Sequence, residues 1–591
     1  MLMMNNKMIT ALVLAGGVAS WAQLLYEKPV DEKVDRVSLE RPSRMGESVK
    51  KFVDTQKASK KVKKVSVKSD LLGRSRNSTL TYEVDVASQQ KMKVLVNDVM
   101  VEHASLETES GSFDYSASAD SKNYELNGVK MSESQFQKKA DNSRKKLRKN
   151  RRKFKAPRVE YMTASEIEQE ISSNENVYVS EYKGVKYDGL DFGEDTYLED
   201  FYIRTKSGID TYAWNKGYYG QGVGIYYSEG GCVPDNYVNH NYFTQMNNCP
   251  NGVSSHAIGV ARVLQSSTGE SHIYGSAEVI YPEDPDKYPV PIYIGSQSWG
   301  YVYDYPYYCS ADAIMDNYIY EYGVAQFVAA GNDYRYSYVS TPARSMNAVA
   351  VGAVSPIDYK YMVYSSSRNG YAHNDKPEVA NFTNFYFRRD LHYSDENGSY
   401  NGRFNGTSAA TPYTAGMAAL LLSKYPSLKW HPEMLKAVML VGSTRDVGNT
   451  DYDYDGIRTF KAGIPMLDRL TTSPLFKNRY WYGANNTNFD KNGRISFTES
   501  NIQKGKRYRA AISWLSSGEY VMNNQRLPQD IDLVVRQNGT IIASSASSYN
   551  PFELVDFVAP NSGEIEVVIT RYRNSSASEN VKLGFSILQV D

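Results

Sequence analysis

The sequence predicts a multidomain chain built around an α/β unit, a parallel sheet flanked by helices. An α+β N-terminal region precedes it and an antiparallel β-sandwich follows it. Three observations carry this reading. From about residue 212, short apolar runs that end in Gly, Ser or Asn (GVGIYY, PIYIGSQSWG, VAQFVAAGN, NAVAVGAV) alternate with helix-like stretches (AIGVARVLQ, ADAIMDNYIYEYG, TPYTAGMAALLLSKYP), the βαβ pattern of a sheet covered on both faces. After about residue 475 the helical patterns stop, and RYRAAISWL, DIDLVVRQ, TIIASSAS, FELVDFVAP and EIEVVITRYR are broken by NG, NS and PNSG turns. A length of 591 residues with 41% hydrophobic and 23% charged residues fits several folded units, not a disordered chain.

At the start, Lys7 is followed by an apolar stretch from Met8 to Ala19 and by small residues at Ser20 and Ala22, which predicts a signal peptide over residues 1–22. That stretch falls short of the roughly 20 apolar residues of a membrane span, and no other run reaches that length. The expectation is a secreted protein without a membrane span, with periplasm, cell surface and medium all open. Residues 23–195 form a Lys-rich leader and then a region with strand patterns at 79–86 and 92–101, an amphipathic helix at 164–171 and a strand in NVYVSEY at 176–182. Within it, RKKLRKNRRKFKAPR at 144–158 has ten basic residues in fifteen. It reads as a solvated, self-repelling linker, with a basic-specific proteolytic site as its functional alternative. Residues 1–158 carry 32 Lys/Arg against 19 Asp/Glu and the remainder 35 against 48, so the two parts attract although the whole is neutral. No nucleic-acid-binding motif accompanies the basic part, and no nucleic-acid partner is expected.

The sharpest chemical signal is NGTSAATPYTAGMAALLLSKYP, residues 405–426. A serine in the first turn of a small-residue-rich helix sits at the positive end of the helix dipole, beside backbone N–H groups that can hold an oxyanion. In polar order along the α/β unit, three further strings stand near predicted strand ends or helix starts: GQGVGIYYSEGG at 220–231, HAIGVA at 256–261 and AAGN at 329–332. Together these strings resemble the motifs of the subtilisin-like serine proteases, the subtilases. The resemblance covers about residues 212–470 and extends to TPARSMNAVAVGAV and KPEVAN. It implies a serine endopeptidase in which Ser408 is the nucleophile, His256 the general base and Asn332 an oxyanion donor, with Ser298, Trp299 and Gly300 bordering the substrate. HAIGVA departs from the family pattern in having Ala257 and Ile258 where Gly and Thr are usual. The strand end that would carry the family's aspartate has Glu229, which implies a Ser-His-Glu triad; a longer acid can still orient an imidazole.

The resemblance assigns residues 196–472 to the catalytic domain, 473–591 to the C-terminal sandwich, and 23–195 to a propeptide that would be a partner beside protein or peptide substrates. A non-catalytic version of the fold would lose its nucleophile or oxyanion groups, and Ser408 and Asn332 are both present. Acid-acting sedolisins replace the histidine and asparagine by carboxyls, whereas His256 and Asn332 are kept. Cys232 and Cys249, 17 positions apart between Glu229 and His256, are a candidate disulfide, leaving Cys309 as a free thiol. No cofactor is required by this chemistry, and the resemblance makes a structural calcium ion possible without naming its ligands. NFDKNGRISFTE at 488–499 has calcium-loop spacing but reads better as an NG hairpin turn, and DYDYDG at 451–456 lacks the closing glutamate, having Ala462 there.

Overall fold

The apolar runs between residues 224 and 382 show no alternation because the sheet they form is covered on both faces. Strands Gly224–Ser228, Ile292–Gln297, Ala325–Ala329 and Val349–Val354 are buried at every residue. The computed structural model describes residues 43–591 except 59–61, 68–79, 86–89, 100–108, 117–122, 150–155, 187–196, 250–251, 302–306, 334–337, 358–362, 364–365, 368–373, 396–397, 445–462, 484–487 and 576–580. The expected signal peptide and the acidic string 451–456 lie outside the described residues.

Seven parallel strands are ordered Phe243–Gln245, His272–Ser276, Gly224–Ser228, Ile292–Gln297, Ala325–Ala329, Val349–Val354 and Val379–Phe382. The order reverses beside Gly224–Ser228, so a crevice opens at the C-terminal ends of that strand and of Ile292–Gln297, where α/β sheets bind ligands. Helices Ser255–Thr268 and Thr407–Lys424 pack on one another, and the second also lies along four of the strands. Every residue of Thr407–Leu422 is buried, which explains why that helix is apolar on all sides rather than on one stripe.

At the opposite end of the sheet, Glu378 precedes the last strand and takes both Lys376 Nζ (2.7 Å) and Lys436 Nζ (2.8 Å) on one carboxyl oxygen while the other accepts Ala350 N–H at 2.8 Å. All three side chains are buried. Burial raises the Glu378 carboxyl, but the two ammonium groups more than offset this and hold it below its ordinary range.

The N-terminal region forms an antiparallel sheet, Arg158–Met162, Met92–Asp98 and Val177–Glu181, covered by helices Glu47–Ala58 and Ala164–Ser173. Thr163 and Glu166 close a capping box at the start of the second helix. Val49, Val53, Val94, Val96, Ile167 and Val179 form a core of their own. The C-terminal part is a sandwich of two antiparallel sheets, and one sheet departs from the sequence-based division. Its strands Phe552–Val558, Arg507–Leu515, Val581–Gln589 and Phe476–Gly483 are extended by Glu109–Asp114, Tyr124–Leu126 and Val129–Met131. The physical unit therefore crosses the expected boundaries 23–195 and 473–591, because strand pairing between distant segments leaves no local mark. Two smaller differences follow. Helix Glu133–Lys149 takes up the first part of the basic run expected as linker, and a seven-residue helix, Gly518–Asn524, interrupts the all-strand reading of the C-terminal part.

The buried Glu378 cluster generates a stability prediction. Glu378→Met should cost about 3–5 kcal/mol, because two ammonium groups are left buried without their carboxylate. Denaturant unfolding of the chain carrying Ser408→Ala measures this, and a loss below about 1 kcal/mol would show that the cluster is not the pin of the last strand.

Candidate active site

Gly406 enters the helix Thr407–Lys424 with φ 74°, a left-handed conformation that suits glycine, and a Cβ there would press on the Asn332 amide at 3.0 Å. The chain then turns so that Thr407 and Ser408 occupy the first helical turn, whose N–H groups have no partner within the helix. Pro412 lies inside this helix and has no N–H to return to the carbonyl of Ser408. That carbonyl instead accepts Ser298 Oγ at 3.0 Å, while Ser408 Oγ donates to the Ser298 carbonyl at 3.3 Å. The helix start and the end of strand Ile292–Gln297 are thus locked by a reciprocal pair of bonds.

Asn332 follows the strand Ala325–Ala329 and is buried. Its Oδ1 accepts both the Thr407 N–H (3.0 Å) and the Thr407 hydroxyl (3.1 Å). A backbone N–H can only donate, so Oδ1 must face Thr407, and Nδ2 is fixed on the opposite side of the amide. Thr407 is a positioning residue that sequence reasoning passed over, although it stands inside the serine string.

Glu229 lies one residue past strand Gly224–Ser228 with its backbone N–H bonded to Ser276 O at 2.8 Å, and its side chain is fully buried. His256 is the second residue of helix Ser255–Thr268, which Ser254 caps. His256 Nδ1 donates to Glu229 Oε2 at 2.7 Å. Burial raises the Glu229 carboxyl, and the charge and hydrogen bond of His256 oppose that rise. Asp235, another carboxylate of the same loop, is exposed in a short 3-10 turn. The ring of Phe404 stands edge-on to the imidazole at 5.1 Å, a contact without any sequence signal.

The two elements that carry Glu229 and His256 are tied together directly. Cys232 and Cys249 form a disulfide, Cys232 N–H bonds Gly252 O at 2.9 Å, and Ser254 N–H bonds Cys232 O at 3.0 Å. Closing a loop of this length contributes up to about 3 kcal/mol in the chain-entropy account. Cys309 is free, and burial pushes its thiol up to about 12, which makes it a poor nucleophile.

A cavity of about 460 Å³ opens beside Ser408, lined among others by Ser298, Trp299, Gly300, Ala329, Gly331 and Asn332. Residues Gly300–Tyr301 at its rim pair antiparallel with Val185–Lys186 of the N-terminal region, Lys186 opposite Gly300. Leu95 packs with Trp299, Tyr301 and Ala311 behind this rim. Ser408, Asn332 and Ser298–Gly300 thus meet at one cavity, and His256 and Glu229 form one hydrogen-bonded pair.

For a calcium ion the fit fails at 488–499. Asp490 Oδ1 is taken by the N–H groups of Asn492 and Arg494 in a turn, and Glu499 pairs with Lys477 and Arg479. Among the described residues no cluster of three or more His, Cys, Asp or Glu side chains could hold a metal ion, and no helix is long and apolar enough to cross a membrane.

Residues 242–458 match the Subtilase family profile. The subtilase-type proteinase psp3 of Schizosaccharomyces pombe is 35% identical over 130 residues, 21% of this chain and 25% of that protein. An extracellular serine proteinase of a Thermus species is 31% identical over 127 residues, 21% of this chain and 27% of that protein. The chain thus spans about a quarter of the length of these curated relatives. Among solved structures, a cold-adapted subtilisin-like serine proteinase aligns over 41% of this chain and 94% of its own, with 18% identity and a TM-score of 0.31.

Proposed function

We propose, from the match of residues 242–458 to the Subtilase family, that the chain is a secreted serine endopeptidase acting through Ser408, His256 and Glu229. The observation that carries the reading is the placement of Ser408 in the first helical turn beside the cavity, with His256 bonded to the buried Glu229 on the neighbouring helix and strand. Substrate backbone pairing along Ser298–Gly300 would release the Ser408 hydroxyl from the Ser298 carbonyl. Ser408 Oγ then attacks the scissile carbonyl as His256 Nε2 takes its proton, and His256 returns that proton to the leaving amine. Water repeats the sequence to hydrolyse the acyl-enzyme. Glu229 fixes the imidazole tautomer and stabilises the imidazolium, while the Ser408 N–H and the Asn332 amide, aimed by Thr407, hold the oxyanion. No cofactor enters these steps, and protein or peptide chains are the substrates. The disulfide fits an oxidising compartment and supports export.

The same reading makes the N-terminal region a propeptide. Its strand Val185–Lys186 lies on the rim strand Gly300–Tyr301, where an extended substrate would add by β-pairing. N-terminal sequencing of secreted protein should place the start of the wild-type chain that carries Ser408 between about residues 185 and 205, and find the whole region retained in Ser408→Ala unless another protease cuts it at residues 144–158. A fully active wild type still carrying residues 23–190 would overturn the propeptide.

A fluorophosphonate probe should label the wild type and not Ser408→Ala; equal labelling of both removes Ser408 as nucleophile. Glu229→Gln should keep the fold and lower kcat by about three to four orders of magnitude, because an amide favours the wrong tautomer. Near-normal turnover in that variant, with Ser408 still essential, would exclude Glu229 from the triad. The buried Glu229 carboxyl, raised above its usual range, protonates earlier than an ordinary glutamate as pH falls. Protonation removes the charge that orients and stabilises the imidazolium, so kcat/KM should be flat above neutrality and decline in acid. An optimum near pH 4 with little activity at pH 8 would point to a carboxyl mechanism instead.

A further inference from the structure

The N-terminal region consists of two bodies that pack differently. The sheet of Met92–Asp98, Arg158–Met162 and Val177–Glu181 has its own core, centred on Val49, Val94, Ile167 and Val179. It meets the rest of the chain through Leu95 at the rim of the cavity, through the Asn97–Ser310 side-chain bond at 2.7 Å, and through Val99 and Tyr178 at the margin of the large core. Residues 109–149 are inserted between two strands of that sheet, yet Phe113, Tyr124, Leu126 and Phe136 belong to the large core shared by the central sheet and the C-terminal sandwich.

The attachment is a full strand ladder. Glu109–Asp114 pairs with Phe476–Gly483 from Tyr482↔Glu109 to Lys477↔Asp114. Beyond the ladder, Tyr115 N–H bonds Phe476 O at 2.8 Å, Phe476 N–H bonds Ser116 Oγ at 2.9 Å, and Tyr480 Oη donates to Glu109 Oε1 at 2.8 Å. Gly111 lies under the Tyr480 ring so closely that a Cβ would stand 2.3 Å from it. The Tyr115 ring lies 4.1 Å from that of Tyr425, the residue that ends the helix carrying Ser408. Without residues 109–131, Phe476–Gly483 would be an edge strand paired on one side only, with Val581–Gln589, and stripped of aromatic cover on the other, a surface that folded proteins avoid.

We propose that residues 109–149 are not discarded with the inhibitory body but stay in the mature enzyme as a second, non-covalently held chain. The inference rests on the reading of the N-terminal region as a propeptide. It requires hydrolysis of one peptide bond between Asp98 and Glu109 and one in the part of the basic run that follows Lys149, each consuming one water and leaving a carboxylate and an amine. The basic run thereby gains a role as one of the two cutting sites, and the propeptide divides into a removable inhibitor and a permanent set of three strands.

The decisive measurement is denaturing intact mass on wild-type enzyme purified by gel filtration under native conditions after maturation. Two chains in a one-to-one ratio are expected, one beginning beyond Lys186 and one containing residues 109–131. An active species of native size that lacks residues 109–131 overturns the proposal. A second arm reads retention without activity. The Ser408→Ala chain is nicked with trypsin and passed over gel filtration at increasing urea. The fragment containing 109–131 should remain with residues 473–591 at urea concentrations that already release fragments 45–98 and 158–181, and Gly111→Val should lower the former concentration alone. Release of 109–131 together with or before the inhibitory fragments overturns the proposal while leaving the propeptide reading intact. An active wild type that is never processed would instead overturn the propeptide reading, and the proposal with it.

Discussion

A carboxylate with no exposed surface at the end of a parallel sheet is the constraint around which this site is organised. Taking Glu229 out of water costs several kcal/mol unless a partner meets it. His256 at 2.7 Å is that partner, and the pair is useful to the site only if the geometry is held. Three features hold it. The Glu229 backbone is bonded to the neighbouring strand at Ser276, the first turn of the His256 helix is bonded to Cys232 through Ser254, and the Cys232–Cys249 disulfide closes the loop between them. None of the three contributes an atom to the proposed chemistry. They restrict the freedom of the two groups that do.

The serine side of the site follows the same logic with backbone groups in place of charges. Pro412 deprives the Ser408 carbonyl of its helical partner, and Ser298 supplies a substitute from the adjacent strand end. Thr407 uses both its N–H and its hydroxyl on the Asn332 oxygen, so the direction of the amide is dictated by hydrogen-bond polarity. A strand end, a helix start and a side-chain amide are thus registered to each other before any substrate arrives, which is the preorganisation that electrostatic stabilisation of an oxyanion demands. The N-terminal region approaches this edge through Gly300–Tyr301 and leaves the serine side of the cavity walls to the α/β unit itself.

What the sequence made legible follows from how local each feature is. Ser408, Asn332 and His256 stand in short strings because a helix start or a strand end is specified within a few residues, by Gly406, Pro412 and Ser254 among others. The buried strands could be read from unbroken apolar runs. The pairing of Glu109–Asp114 with Phe476–Gly483 could not, since the partners are some 360 residues apart and a sheet edge accepts any strand of suitable alternation. Phe404 against His256 escaped for a similar reason, being a contact between elements with no periodic pattern. The string at 488–499 shows the converse: its spacing matches a calcium loop although it reads better as a hairpin turn, and Lys477 and Arg479 from a strand of the facing sheet occupy the carboxylate that a cation would need.

The length of the acid can be argued from the same tethers. Replacing glutamate by aspartate at this position would withdraw the carboxyl by about one C–C bond, about 1.5 Å, roughly half the distance that now separates Oε2 from the imidazole. The strand end is fixed by the Glu229–Ser276 bond and the helix start by the Ser254–Cys232 bond. Gly231 brings these segments so close that a Cβ there would meet Gly252 O and Ser254 Cβ, each at 2.9 Å. Neither backbone is therefore free to advance and close the gap. The extra methylene of Glu229 and the spacing of its tethers are two parts of one solution, and a shorter acid would need a different path for the chain between residues 229 and 256.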